Sequence, residues 1–187
     1  FLQRIAIGAF AGSMFFAPLS KADEGMWTFD NPPLKQLKDK FGFEPTKEWL
    51  DHIRLSSVRF NDGGSGSFIS PNGLVLTNHH VALGQLSKVS SAENDYVKNG
   101  FYAASHAEEI KCPDLELNVL TSMENVTDKV MSAVQPGASD KDALDARKSK
   151  IAGIEKESTE KTGMRSDVVT LYQGGEYWLY RYKKYTD

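Results

Sequence analysis

At 187 residues, 40% of them hydrophobic and 25% charged, the chain has the length and composition of one globular domain or part of one. A net charge of −3 without a basic block excludes a nucleic-acid footprint. Cys112 is the one cysteine, which excludes a disulfide within the stretch. Its neighbours in EEIKCPDLE are acidic and disfavour a thiolate, so it reads as structural.

Residues 1–22 differ in character from the rest. Arg4 precedes IAIGAFAGSMFFAPLS, an apolar run too short and interrupted for a membrane span. Ser20 and Ala22 put small residues at the −3 and −1 positions of a cleavage site before Asp23. The pattern predicts a secretory signal peptide over 1–22; a buried N-terminal helix or a membrane anchor is the alternative. Loss of Arg4 and Lys21 takes the net charge of the remaining 23–187 from −3 to −5. The expected mature protein is exported, mildly acidic and soluble, with no membrane segment.

Two helices follow. Pro33 suits the first turn of a helix over Leu34 to Lys40, which Gly42 ends. Thr46 is an N-cap candidate for KEWLDHIRL, with Trp49, Ile53 and Leu50 predicted on its buried face and His52 at the surface. The periodicity then changes to strands. SSVRF leads through the glycine-rich NDGGSG into GSFIS–PNG–LVLTN, a hairpin with Pro71 at the second turn position and Gly73 left-handed. Phe68, Leu74, Val75 and Leu76 are expected to be buried there.

Beyond the hairpin, a turn of helix after His79-His80 and a short helix over Asp95 to Asn99 are predicted. LELNVLTSME, 115–124, reads as a strand with Leu115, Leu117 and Val119 on one face. NVTDKVMSAV is helical. A long helix starts from Ser139 as N-cap, with Asp140 and Asp142 at the positive end of its dipole, and stops at Gly163. Its thin stripe of Leu144, Ile151 and Ile154 places it on a surface. DVVTLYQGGEYWLYRYKKYTD forms an aromatic-rich hairpin around Gln173-Gly174-Gly175, ending on a strand with no partner after it. Strands, surface helices and strands without a closing element look like a fold cut short.

GSFISPNGLVLTNHHV carries the chemistry. A general base must be fixed in orientation and stay neutral near pH 7. The end of a buried strand supplies a rigid mount, and adjacent strand residues point to opposite faces, so one histidine of the pair faces a given cleft. Metal binding would need further ligands at suitable spacing, whereas His52, His106 and Cys112 are scattered. A purely structural histidine pair is the other reading. Ser65 and Ser67 lie in a G-S-G-S turn that does not meet the G-x-S-x-G nucleophile elbow.

The stretch G-S-G-S-F-I-S-P-N-G-L-V-L-T-N-H-H-V resembles both the T-A-A-H-C strand end of chymotrypsin-like proteases and the L-T-N-N-H-V segment of exported Deg-type proteases. In that alignment the histidine before Val81 is catalytic, which makes His80 the base and puts His79 in the place of the second Asn. The mature start D-E-G-M-W, the N-D-G-G-S-G-S-F turn, T-N-H-H, D-Y-V-K-N-G-F and Y-Q-G-G-E-Y-W-L-Y-R-Y-K-K-Y-T-D resemble the bacterial dipeptidyl-peptidase 7/11 family over nearly the whole of 23–187. That resemblance implies a mainly β fold with surface helices, part of a chymotrypsin-like double β-barrel that ends before the second barrel and a large helical insertion. It further implies a serine exopeptidase that removes dipeptides from free N-termini of oligopeptides, without cofactor or metal, as a homodimer in the periplasm or at the surface of a Gram-negative bacterium. The Asp and Ser of its triad are expected beyond Asp187, so this stretch by itself is expected to be inactive. Some relatives carry cysteines where Ser65 and Val81 stand, so a disulfide has been replaced without orphaning a thiol. A Deg-type endoprotease and an inactive secreted protein on a protease-like barrel are the competing readings.

Overall fold

The computed structural model describes residues 25–186; the predicted signal peptide, 1–22, lies outside them. The chain divides at Pro33 into two compact units. In the first, residues 25–33 are irregular, with one turn closed by Asn31 N–H on the Thr28 carbonyl at 3.1 Å.

The second unit opens with α1 (Leu34–Phe41) and α2 (Lys47–Ser56). Thr46 caps α2 by accepting from Trp49 N–H at 3.2 Å. The predicted apolar face of α2 is not buried: Trp49 is 44% exposed, stacked edge-on to Phe43, and Ile53 is also exposed. Arg54 anchors the helix instead, because its Nη1 donates to the carbonyls of Leu120 and Thr121 at 2.7 and 2.8 Å. A guanidinium placed at a sheet irregularity satisfies carbonyls that the ladder leaves free, and that outweighs burial of the tryptophan.

Six antiparallel strands form one sheet: β1 (Ser57–Phe60), β2 (Ser65–Phe68), β3 (Val75–Thr77), β4 (Glu116–Asn125), β5 (Arg165–Leu171) and β6 (Glu176–Thr186), in the order β3-β2-β1-β4-β6-β5. The β2–β3 hairpin has the expected turn, with Gly73 at φ +89° and the Ser70 hydroxyl accepting from Leu74 N–H at 3.1 Å. Its burial is half of the expected one. Phe68 and Val75 pack on the core, whereas Leu74 and Leu76 are 61% and 62% exposed. β3 is an edge strand of the sheet, so alternation turns only one of its faces inward. The closing strand forms the expected hairpin and gains a second neighbour: β6 lies inside the sheet, paired with β5 from Arg165↔Tyr182 to Leu171↔Glu176 and with β4 from Glu116↔Thr186 to Asn125↔Trp178. Its run of aromatic residues covers both faces, as an interior strand requires.

Helices α3 (His79–Val89), α4 (Tyr96–Asn99), α5 (Thr127–Met131) and α6 (Asp140–Thr162) complete the unit. α6 begins at Ser139, whose Oγ accepts from Asp142 N–H, and ends at Gly163 with φ +68°. Ile151 and Ile154 on α6 pack against Val126, Val130, Tyr177 and Leu179. Arg181 on β6 ties α6 to the sheet, donating to Ser158 Oγ at 2.8 Å and to Glu124 at 2.6 Å. The second core group, Val58, Phe60 and Val119, takes Phe68, Val75, Val81, Leu115 and Leu117 around it. That group carries the histidine hairpin.

Candidate active site

The histidines sit in the first turn of α3, one residue past β3, and not on the strand itself. This corrects the expected mount. Asn78 is the N-cap, extended at φ −84° and ψ 150°, and its carbonyl accepts from Val81 and Ala82 N–H at 3.0 and 3.2 Å. Helical geometry turns successive side chains by about 100°. His80 therefore shares a stripe with Val81, Gly84 and Gln85, whereas His79 points away from it.

That stripe forms one wall of a cavity of about 440 Å³, which His80 lines and His79 does not. The opposite wall is the β1–β2 turn, Asn61 to Gly64, with Leu115 closing one side. Val81 fixes the helix. Half-buried, it packs against the core group of Val58, Phe60 and Val119, and it touches the glycine turn so closely that a Cβ on Gly64 would lie 2.5 Å from its Cγ2. Gly64 has φ +91°, which suits glycine on both counts. His80 is thus exposed on a first turn whose next residue packs against the core.

The turn wall is equally well held. Asn61 N–H donates to the Glu116 carbonyl on β4 at 3.1 Å, its Oδ1 accepts from Glu116 N–H at 3.1 Å, and its Nδ2 donates to the Asp114 carbonyl at 3.2 Å. The same Nδ2 donates to Asp62 Oδ1 at 3.2 Å. Asn118, with Lys184 and Arg165 adding to its effect, holds the Glu116 carboxyl below the usual range, so an anion sits at the root of this turn. Gln85, 8% exposed, lines the cavity with an Oε1 that accepts no hydrogen bond among the described residues.

Of the residues singled out in the sequence, the structure places His80 in the cavity and none of the others. His52 lies on α2 and His106 bonds Glu109 at 2.8 Å on a separate loop. Among the described residues no three His, Cys, Asp or Glu side chains converge as metal ligands. Ser65 and Ser67 lie on β2 and do not line the cavity, and Cys112 forms no disulfide. Asn61, Asp62 and Gln85 were not legible as site residues. The signal that could have found Gln85 is the helical spacing 80, 81, 84, 85, read once α3 is known to begin at the histidines.

A family model described as Peptidase S46 matches residues 22–187. The chain belongs to the peptidase S46 family. Among S46-type relatives, it is 34% identical over 176 residues to dipeptidyl-peptidase 7 of Capnocytophaga gingivalis, covering 89% of this chain and 24% of that protein. It is 29% identical over 171 residues to the Asp/Glu-specific dipeptidyl-peptidase of the same organism, covering 87% and 24%. The crystal structure of Porphyromonas endodontalis DPP11 in complex with the dipeptide Arg-Asp superposes with a TM-score of 0.70 at 25% identity, over 88% of this chain and 25% of that one. The chain spans about a quarter of the length of these relatives. The expected antiparallel strands with surface helices, as part of a longer peptidase fold, are observed as one six-stranded sheet that superposes on DPP11.

Proposed function

We propose that this chain is the N-terminal part of a serine-type dipeptidyl-peptidase, and that His80 is its general base. The observation that carries the reading is the placement of His80: exposed on a helix turn that Val81 packs against the core, and lining a cavity of about 440 Å³. Membership of the peptidase S46 family, whose matched relatives are named dipeptidyl-peptidases, supplies the reaction class.

In the mechanism, His80 takes the proton of a serine hydroxyl as the oxygen attacks the carbonyl two residues from the substrate's free N-terminus. The tetrahedral intermediate collapses, the C–N bond breaks, and the imidazolium returns the proton to the departing amine. Water then attacks the acyl-enzyme with the same base, releasing the dipeptide. The serine, and the aspartate that orients His80, come from polypeptide outside this sequence. The substrates are oligopeptides with free N-termini. Export rests on the pattern of residues 1–22. Periplasmic or surface location and a homodimer follow from the family resemblance.

The test is made on the full-length gene product with a dipeptidyl amide and with the same amide N-acetylated. His80→Ala should lower kcat by about 10⁴-fold or more, His79→Ala by less than about tenfold, and acetylation should abolish turnover. Undiminished cleavage of the acetylated substrate would make the enzyme an endoprotease. Undiminished turnover by His80→Ala would remove His80 from the mechanism.

A further inference from the structure

His80 follows β3 without an intervening loop, so its position depends on how the junction between strand and helix is held. β3 is an edge strand of three residues, in register with β2 through Phe68↔Val75, Ser67↔Leu76 and Gly66↔Thr77. The end of so short a strand frays unless something pins it. The helix side adds little: Asn78 occupies the N-cap of α3, but its side chain makes no capping hydrogen bond. Two contacts flank the first turn instead. After His80, Val81 packs on Gly64. Before it, Thr77 donates its hydroxyl to the Ser65 carbonyl at 2.8 Å. Gly64 and Ser65 are consecutive, so both contacts grip the stretch where the β1–β2 turn enters β2.

We infer that Thr77 is a positioning residue for His80: its hydroxyl, held by the Ser65 carbonyl, ties the strand that leads into the base to the turn that forms the opposite wall of the cavity. This rests on the reading of His80 as general base and adds to it the group that holds the base in place. Thr77 is half-buried, whereas Leu76 and Asn78 on either side of it are exposed. Its β-branched side chain has few χ1 rotamers, so the direction of the hydroxyl is set together with the backbone. Three residues separate it from His80, and a rotation of the junction carries the imidazole with it. A base acts within hydrogen-bond reach of the proton it takes, and a displacement of about 1 Å costs on the order of 10²-fold. Thr77 does not itself line the cavity, so loss of its hydroxyl should change turnover and leave substrate affinity alone.

The experiment uses the full-length enzyme and a dipeptidyl amide, with each variant assayed well below its own unfolding transition. Thr77→Val keeps the shape of the side chain and removes the hydroxyl; Thr77→Ser keeps the hydroxyl and removes the methyl. Thr77→Val should lower kcat about tenfold with KM within about twofold of wild type, and Thr77→Ser should stay within about threefold in kcat. Thr77→Ala also lacks the hydroxyl and should be as slow as Thr77→Val, so it answers the question if the valine variant fails to fold. A wild-type kcat in the variants without the hydroxyl overturns the inference, even where their denaturant midpoint falls, because the hydroxyl would then serve stability alone. A raised KM at unchanged kcat overturns it as well, and so does a Thr77→Ser variant as slow as Thr77→Val. His80→Ala is run in parallel. If it keeps its activity, the peptidase reading fails and takes the role of Thr77 with it; if it is inactive while Thr77→Val turns over like wild type, the role of Thr77 alone fails.

Discussion

Gly64→Ala probes how the structure holds the base in place. At φ +91° an alanine costs about 1–2 kcal/mol in backbone strain. Its Cβ would also stand 2.5 Å from Val81 Cγ2 and 3.1 Å from Cγ1. Carbon atoms rest at about 3.5–4.0 Å, so turn and helix must separate by roughly 1 Å. Val81 cannot turn away without leaving the core of Val58, Phe60 and Val119. The displacement therefore falls on the first turn of α3, which carries His80. A misplacement of about 1 Å at a reacting group costs on the order of 10²-fold. In the full-length enzyme, kcat/KM for a dipeptidyl amide should drop by roughly 10- to 100-fold. Val81→Ala removes both offending methyls, at about 1–1.5 kcal/mol of stability, and combining it with Gly64→Ala should recover most of the lost rate. Wild-type kcat/KM in Gly64→Ala would refute the reasoning. A double variant no faster than Gly64→Ala would show that the contact with Val81 does not transmit the effect.

Three further outcomes follow from the packing and electrostatics. Val130 on α5 is 0% exposed against α6 and β6, and Val130→Ala should cost about 2–3 kcal/mol, two methyls plus the void they leave, seen as a lower denaturant midpoint at unchanged slope. Hydrogen bonds from Lys129 and Arg181 hold the Glu124 carboxyl below its usual range, so its stabilisation is complete above the unfolded carboxylate pKa and fades as pH falls through the folded value. The stability difference between wild type and Glu124→Gln should accordingly be flat at neutral pH and shrink below about pH 4.5, and a difference that grows on acidification contradicts the assignment. Ser139→Ala removes the cap of α6 and should cost about 1 kcal/mol, whereas Ser139→Asp should be close to neutral in chemical denaturation.

The parts of the fold that the sequence made legible are those decided within a few residues. Thr46 and Ser139 cap their helices, Gly73 and Gly163 adopt the left-handed conformation, and Asp95 accepts from Lys98 N–H at the start of α4. The β2–β3 and β5–β6 pairs flank the turns expected of them. Misreadings occurred where burial depends on distant partners. Leu74 and Leu76 are as apolar as Val75 but face out of an edge strand, and Trp49 stays exposed because Arg54 anchors α2. The pairing of β6 with β4 went unread because β4 lies far back in the chain.

The site divides along the same line. Its histidine hairpin was readable because T-N-H-H-V is a contiguous signature after a hairpin whose turn residues dictate their own geometry. The sequence alone thus singled out His80 as the candidate base, with the hairpin that presents it and the caps of the surrounding helices, since backbone conformation and capping are set by neighbours along the chain. Tertiary structure alone decided that α3 begins at the histidines, that Val81 packs against Gly64, and that Asn61 and Asp62 line one cavity with His80 and Gln85. Those relations depend on sheet order and on which apolar faces meet, and close packing settles them only when the whole core has formed.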